Sequence, residues 1–333
     1  MIQLDGSFGE GGGQILRSSL ALSLITRQPF RIERIRAKRG KPGLLKQHLT
    51  AVLAAARVGS ARVEGAREGS QELTFEPQTL LGGYYTFDIG SAGSTTLVLQ
   101  TILVPLLVAA EPSTIELEGG THNSGAPSFD FLTRSFLPLI ARMGARVEVA
   151  LERPGFFPMG GGRIIVTIEP TRTLGALELI ERGKLVAKRA RAIVANLPED
   201  IARRELDVIG WPDARAESVF AYGPGNALTL EAESEHVTEV VTGFGKRGVR
   251  AEQVAWNALD EMQRYLDSDA ATGEHLADQL LLPMAIGGGG AFTTVHATEH
   301  TTTNAQVIQK FIKASVIFHA QPSRCLVEVS TPF

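Results

Sequence analysis

The chain has 333 residues, 44% hydrophobic and 21% charged, with a formal net charge of −3 and one cysteine, Cys325. That composition excludes a disordered chain, a general polyanion binder, which would be basic overall, and a disulfide scaffold or cysteine zinc site. No apolar run approaches the ~18 residues of a membrane span. The start "MIQLDGSFGEGG" lacks the basic-then-apolar layout of a signal peptide, so a cytoplasmic chain without membrane contact is expected.

From the N-terminus, "IQLD" reads as a strand, "GSFGEGGG" as a glycine-rich turn and "QILRSSLALSL" as an apolar helix. A strand then runs into the basic loop "RIRAKRGKPG", followed by the helix around "LKQHLTAVLAAARV" and strands at "ARVEGA" and "ELTFEP". The same order recurs from "YTFDIGSAGSTTLVLQ" through "STIELEGGTHNSGAP" to "GARVEVA" and "RIIVTIEP". Residues 178–268 interrupt it with the strand "KLVAKRARAIVANL", the helix "EDIARRELDVI", two strands around "YGPGN" and the helix "AEQVAWNALDEMQRYLDS". A third, diverged copy follows: helix "EHLADQLLLPMAI", strand "AFTTVHAT", helix "TTNAQVIQKFIKA", strands "SVIFHA" and "CLVEVS". The expectation is an α/β (α+β) fold. Three two-helix, four-stranded units form a large domain over 1–177 and 269–333, and a small α/β domain, 178–268, is inserted before the third unit.

The glycine loop fits neither phosphate-binding fingerprint. A Walker loop needs lysine where Gly12 stands, and a dinucleotide loop needs glycine where Gln14 stands. What remains is a glycine turn feeding a helix N-terminus, which can hold phosphate through backbone N–H groups. Glu10 is odd there, because a bare carboxylate repels phosphate. Either it holds a divalent cation that bridges to phosphate, or it only complements the helix dipole. Arg17 is either a surface charge or a phosphate clamp one turn behind the loop.

The strand-to-helix loops of the three units should share one corner. They carry Arg36, Lys38, Arg39 and Lys41; His122 and Asn123; and His296, Glu299, His300 and Asn304. That corner is the candidate site. His296 and His300 lack a third ligand at zinc spacing. His296 reads as a strand residue, whereas His300 falls where the strand ends and is free to act as base or nucleophile. The glycine runs "FFPMGGGRI" and "AIGGGGAF" read as tight turns.

"LDGSFGEGGGQILRSSLALS", "IRAKRGKPGLLKQHLTAV", "GSAGSTTLVLQTILVPLL", "GFFPMGGG", "HLADQLLLPMA" and "HTTTN" stand in the order and spacing of the RNA 3′-terminal phosphate cyclases. The chain resembles that family over nearly its whole length, least in the inserted segment. The resemblance implies a ligase that uses ATP and Mg²⁺ or Mn²⁺ to turn an RNA 3′-terminal phosphate into a 2′,3′-cyclic phosphate. The implied route passes through covalent histidine–AMP and RNA(3′)pp(5′)A. It implies His300 as nucleophile and Glu10 as metal ligand. Gln100, Pro127, His275, Leu276, Ala277, Asp278 and Gln279 match nucleotide-binding positions. Arg17, Arg36, Arg39 and Gln47 match residues serving the phosphates and the RNA end. His275 stands where the family often has a base-stacking tyrosine. A homodimer is one assembly this reading allows. The rivals are a non-catalytic, cyclase-like RNA-binding protein of ribosome assembly and an enolpyruvyl-transferase-like enzyme of small molecules.

Overall fold

The computed structural model describes residues 1–171 and 173–331. The first stretch runs β1 (Ile2–Asp5), α1 (Gly13–Thr26), β2 (Phe30–Glu33), α2 (Lys46–Val58), β3 (Arg62–Glu64) and β4 (Leu73–Glu76). The second runs β5 (Gly83–Asp88), α3 (Thr95–Leu107), β6 (Ser113–Gly119), α4 (Phe129–Phe131), α5 (Leu137–Arg142), β7 (Arg146–Arg153) and β8 (Gly162–Glu169). Next come β9 (Leu177–Leu179), β10 (Leu185–Ala195), α6 (Asp200–Ile209), β11 (Asp213–Ser218), β12 (Gly225–Ser234), β13 (Thr238–Phe244) and α7 (Ala251–Asp267). The chain closes with α8 (Glu274–Ile286), β14 (Gly290–Thr294), α9 (Glu299–Phe311), β15 (Ser315–Ala320) and β16 (Cys325–Ser330).

The fold is α+β, built on four four-stranded sheets ordered β1-β2-β4-β3, β5-β6-β8-β7, β9-β14-β16-β15 and β11-β10-β12-β13. In the first three, the edge strand pairs parallel with its neighbour and the other pairings are antiparallel. Alternation sets their buried faces. In β6 and β8 every second residue is buried, as expected of a sheet with one face on a core.

The helices do not alternate in this way. In α1 every residue from Gln14 to Leu24 except Arg17 is buried, and α3 is buried almost throughout. A helix apolar on all sides belongs in the middle of a core. Accordingly α1 packs against α2, α3 and α9 at once, and one continuous core joins Leu20, Phe30, Leu99, Ile115, Leu280 and Phe292. The fourth sheet has its own core, where Ala202 of α6 and Met262 of α7 cover Leu228 and Leu230.

Three details differ from the sequence reading. The third sheet takes its edge strand, β9, from before the inserted segment, so residue 178 lies inside a strand rather than at a border. Three residues are too short for a periodicity signal. β13 escaped for a different reason: "TEVVTGF" does not alternate cleanly. The second helix expected of the second unit is broken by a π-type turn over Leu132–Phe136, just before Pro138. Proline has no N–H to donate and crowds the preceding carbonyls, which shifts the ladder by one residue.

Phe30 is fully buried between Phe75 and Phe311, with ring centroids 5.8 and 6.0 Å away, and so ties the first sheet to α9. Phe30→Ala is expected to cost about 3–5 kcal/mol. Urea unfolding checks this as a lower midpoint at unchanged m-value.

Candidate active site

The loop between β1 and α1 turns on two glycines in the left-handed region, Gly9 at φ +51° and Gly11 at φ +59°. It delivers Glu10 to a nearly closed position, its side chain 4% exposed. The carboxylate folds back over Gly12, the residue that caps α1, where any side chain would collide with it. Gly13 is equally crowded, because a Cβ there would lie 2.5 Å from His48 Nε2. The glycines therefore make room for groups that converge on the head of α1. That head carries no side-chain cap and no acid in its first turn, so its first N–H groups keep their donor capacity.

The basic loop between β2 and α2 closes over this turn. Arg39 pairs with Glu10 Oε2, and Lys38 Nζ donates to the Gly9 carbonyl at 2.7 Å. Arg36, buried, spends its guanidinium on the carbonyls of Lys41 (2.7 Å) and Gly43 (2.8 Å), and so shapes the loop itself. The second oxygen of Glu10, Oε1, is buried and has no hydrogen-bond partner among the described residues. Such a group is costly to leave alone and marks a place where something else binds.

From the other side comes the head of α9. His300 lies in its first turn rather than in a loop, because Thr298 caps the helix by accepting from Thr301 N at 3.2 Å. Its side chain is 55% exposed, and its Nδ1 lies 3.2 Å from Gln14 Oε1 and 3.9 Å from Glu10 Oε2. Gln14 donates its amide Nε2 to Asp278 Oδ1, which orients its oxygen toward the imidazole. Nδ1 is then the protonated nitrogen and Nε2 carries the free lone pair. Asp278 also accepts from Asn304 at 3.2 Å, and Asn304 accepts from Ser18 Oγ at 2.7 Å. Burial pushes the Asp278 carboxyl up, while Gln14, His300 and Arg17 pull it back down.

Beside Gln14 and Asp278, the groups that lead to His300, lies a small cleft lined by polar Gln14, Arg17, Gln100, Asp278 and Gln279 and by apolar Leu103, Phe136 and Leu282. Burial lowers Arg17 to about 10 against the opposing pull of Asp278 and Glu10. No ion pair or hydrogen bond holds its guanidinium among the described residues, which leaves it free for an anionic guest.

The structure thus gathers Glu10, Arg17, Arg39, Gln100, Asp278, Gln279 and His300, with Arg36 supporting the loop. It spreads the other expected residues more widely. Leu276 and Ala277 are fully buried on the core side of α8. His275 lies in the first turn of α8 with its side chain 75% exposed, 3.5 Å from Glu261 of α7. Pro127 offers its carbonyl to Thr96 Oγ1 at 2.7 Å, and Gln47 Oε1 accepts from Ser94 N at 2.9 Å.

The second corner does not join the first and third. His122 is buried and pairs with Asp130 at 3.1 Å, which Arg191 of β10 also engages at 3.0 Å. His296 lies beyond the end of β14, exposed, with Nδ1 3.2 Å from Glu274, rather than within the strand. No group of three metal-ligating side chains occurs among the described residues, and no helix there is long and apolar enough to cross a membrane.

Sequence reasoning missed Gln14 and His48. Gln14 registered only as the residue that spoils a glycine fingerprint. His48 is buried, accepts from Leu45 N through Nδ1 at 3.3 Å, and is driven down to about 3 by burial, Arg17 and Arg36, so it stays neutral. No spacing in the sequence marks either one.

A family model described as RNA 3′-terminal phosphate cyclase matches residues 8–318. The RNA 3′-terminal phosphate cyclase of Ralstonia nicotianae is 54% identical, over 98% of this chain and 96% of its own. That of Koribacter versatilis is 49% identical, over 99% and 95%. Among solved structures, the enolpyruvyl transferase NikO of Streptomyces tendae aligns with 98% of this chain and 47% of its own, at 12% identity and TM-score 0.39, too distant to carry an argument. With a match of that extent and relatives at half identity along their whole length, the chain belongs to the RNA 3′-terminal phosphate cyclase family.

Proposed function

We propose that this chain closes RNA 3′-terminal phosphates into 2′,3′-cyclic phosphates at the expense of ATP, with His300 as the covalent nucleophile. The carrying observation is the hydrogen-bonded series Asp278–Gln14–His300, which leaves the Nε2 lone pair of His300 available at the head of a cleft containing an unpaired arginine. In the first step Nε2 attacks the α-phosphorus of ATP; an N–P bond forms and pyrophosphate leaves. An oxygen of the RNA 3′-phosphate then attacks the same phosphorus, breaks the N–P bond and yields RNA(3′)pp(5′)A. Finally the adjacent 2′-hydroxyl, losing its proton, attacks the 3′-phosphorus and expels AMP. Two covalent exchanges thereby replace one poor leaving group with a good one.

Arg17 and the α1 N–H groups suit the triphosphate, while Gln100 and Gln279 in the cleft suit the nucleoside. Arg36, Lys38, Arg39, Lys41 and Gln47 border the place where the RNA end enters. A divalent cation, Mg²⁺ or Mn²⁺, fits the one orphaned oxygen of the site, Glu10 Oε1. Glu10 would hold that ion, whose charge offsets the phosphates. A cytoplasmic setting belongs to the same reading, supported by the single free, buried Cys325, and so does a homodimer, which sedimentation tests. A non-catalytic RNA-binding role would need neither the oriented imidazole nor the acid beside it.

His300→Ala is expected to abolish the acid-labile AMP adduct formed with α-labelled ATP, whereas His296→Ala keeps most of it. Adduct on the His300→Ala protein, or mapping of the label to a lysine, rejects the assignment. Gln14→Leu is expected to slow adduct formation by about 10–100-fold through loss of the Nδ1 partner. Gln14→Glu, which still accepts from Nδ1, should recover part of the rate.

Because Arg39 is paired with Glu10, the two residues act on one step rather than on two. Glu10→Gln and Arg39→Ala should both shift the metal concentration needed for half-maximal adduct formation. An unchanged metal titration for Glu10→Gln would reduce Glu10 to a partner of the helix dipole.

A further inference from the structure

We propose that three exposed aromatic rings on two adjoining loops, Phe157 on one and the edge-to-face pair Phe220 and Tyr222 on the other, form a stacking platform for the unpaired bases of the RNA just upstream of its 3′ end. The proposal rests on the RNA reading above. It concerns a surface outside the cleft, where the loop between β7 and β8 meets the loop between β11 and β12.

The rings are far more open than side chains of their size usually are. Phe157 is 78% exposed, Phe220 73% and Tyr222 56%. The loops that carry them are nonetheless held in place. Phe156, the neighbour of Phe157, is buried in a small core with Ile193 and Ala227 of the inserted sheet. Gly161 lies so close to Tyr222 that a Cβ would stand 2.5 Å from its ring, and Gly223 is equally tight against Met159. Phe220 and Tyr222 meet edge to face with centroids 6.0 Å apart. The Arg153 guanidinium stacks over Tyr222 at 4.0 Å and donates Nε to the Gly161 carbonyl. Solvent-facing rings on anchored loops, with a planar cation over one of them, are the chemistry that unpaired bases recognise.

The loop that carries Phe157 reaches the site through one intervening turn. Gly160 packs on the Ser91 carbonyl, where a Cβ would come within 2.6 Å. The Gly90–Ser94 turn accepts from Lys46 Nζ at 3.1 Å and gives Ser94 N to Gln47 at 2.9 Å. Lys46 and Gln47 open α2, directly after the basic loop that reaches Glu10 through Arg39. A strand whose 3′-phosphate rests at that loop can therefore lay its preceding bases along the turn and onto the rings. A duplex end could not, because its bases are already stacked and paired.

The test titrates single-stranded oligoribonucleotides bearing a 3′-phosphate, in graded lengths from a dinucleotide upward, against the native enzyme, Phe157→Ala and the double variant Phe220→Ala, Tyr222→Ala. Native affinity is expected to rise over the first few nucleotides and then level off. Each variant should lose about tenfold for the longer strands and little for the dinucleotide. Replacing the upstream bases by abasic residues should cost the native enzyme the same factor and the variants nothing further. Adduct formation with labelled ATP, which involves other residues, reports that the variants are folded. A native length dependence in the variants overturns the platform. So does a variant that alters only self-association in sedimentation, which would make the rings a contact between copies of this chain. Absence of adduct and cyclisation in the native enzyme would instead overturn the functional reading, and direct binding would still decide the platform.

Discussion

Everything at the site depends on α1 being enclosed. A helix surrounded by α2, α3 and α9 cannot shift without opening the core, so its N-terminal turn becomes a fixed reference. Three separate stretches of chain are aligned on that turn: the glycine loop ahead of α1, the basic loop ahead of α2 and the first helical turn of α9. Catalytic groups on loops gain precision from the rigid elements beneath them.

Enclosure has an electrostatic consequence. A central helix that carries serines, a glutamine and an arginine must satisfy them internally. Ser19 and Ser23 donate to the carbonyls of Ile15 and Gln28, both at 2.6 Å. Ser18 reaches Asn304 of α9 and Gln14 reaches Asp278 of α8. These bonds cross between helices, so the same contacts that satisfy buried polar groups also set the orientation of His300. Arg17 is the exception. Its guanidinium is desolvated and faces a cleft, and His48 beside it is kept neutral so that no second cation competes for the same anion.

The inserted sheet is bound differently. It has its own core, and it meets the second sheet through a charged network in which Asp130 accepts from both His122 and Arg191. Burial would raise Asp130, but His122 and the arginines bring it below the ordinary carboxylate range. The histidine that seemed to belong with the catalytic corner therefore serves a junction. On the far side of that junction the loops carrying Phe157 and Tyr222 interlock through close glycine contacts, which ties the exposed rings to both sheets.

Much of the fold was legible in the sequence because alternation and helical spacing are local properties. Most strands and helices of the first two stretches follow from patterns a few residues long. Glu10 and His300 stood out for the same reason, one as an acid among glycines, the other as a histidine at the start of a polar run. What the sequence could not carry is contact between residues far apart in the chain. Gln14 orients His300 across 286 positions, and Arg39 holds Glu10 across 29. β9 completes a sheet whose other strands lie beyond the insertion. Those partners are chosen by how the helices pack. Packing depends on shape and burial summed over the whole core, so only the tertiary structure decided which of the candidate residues would meet.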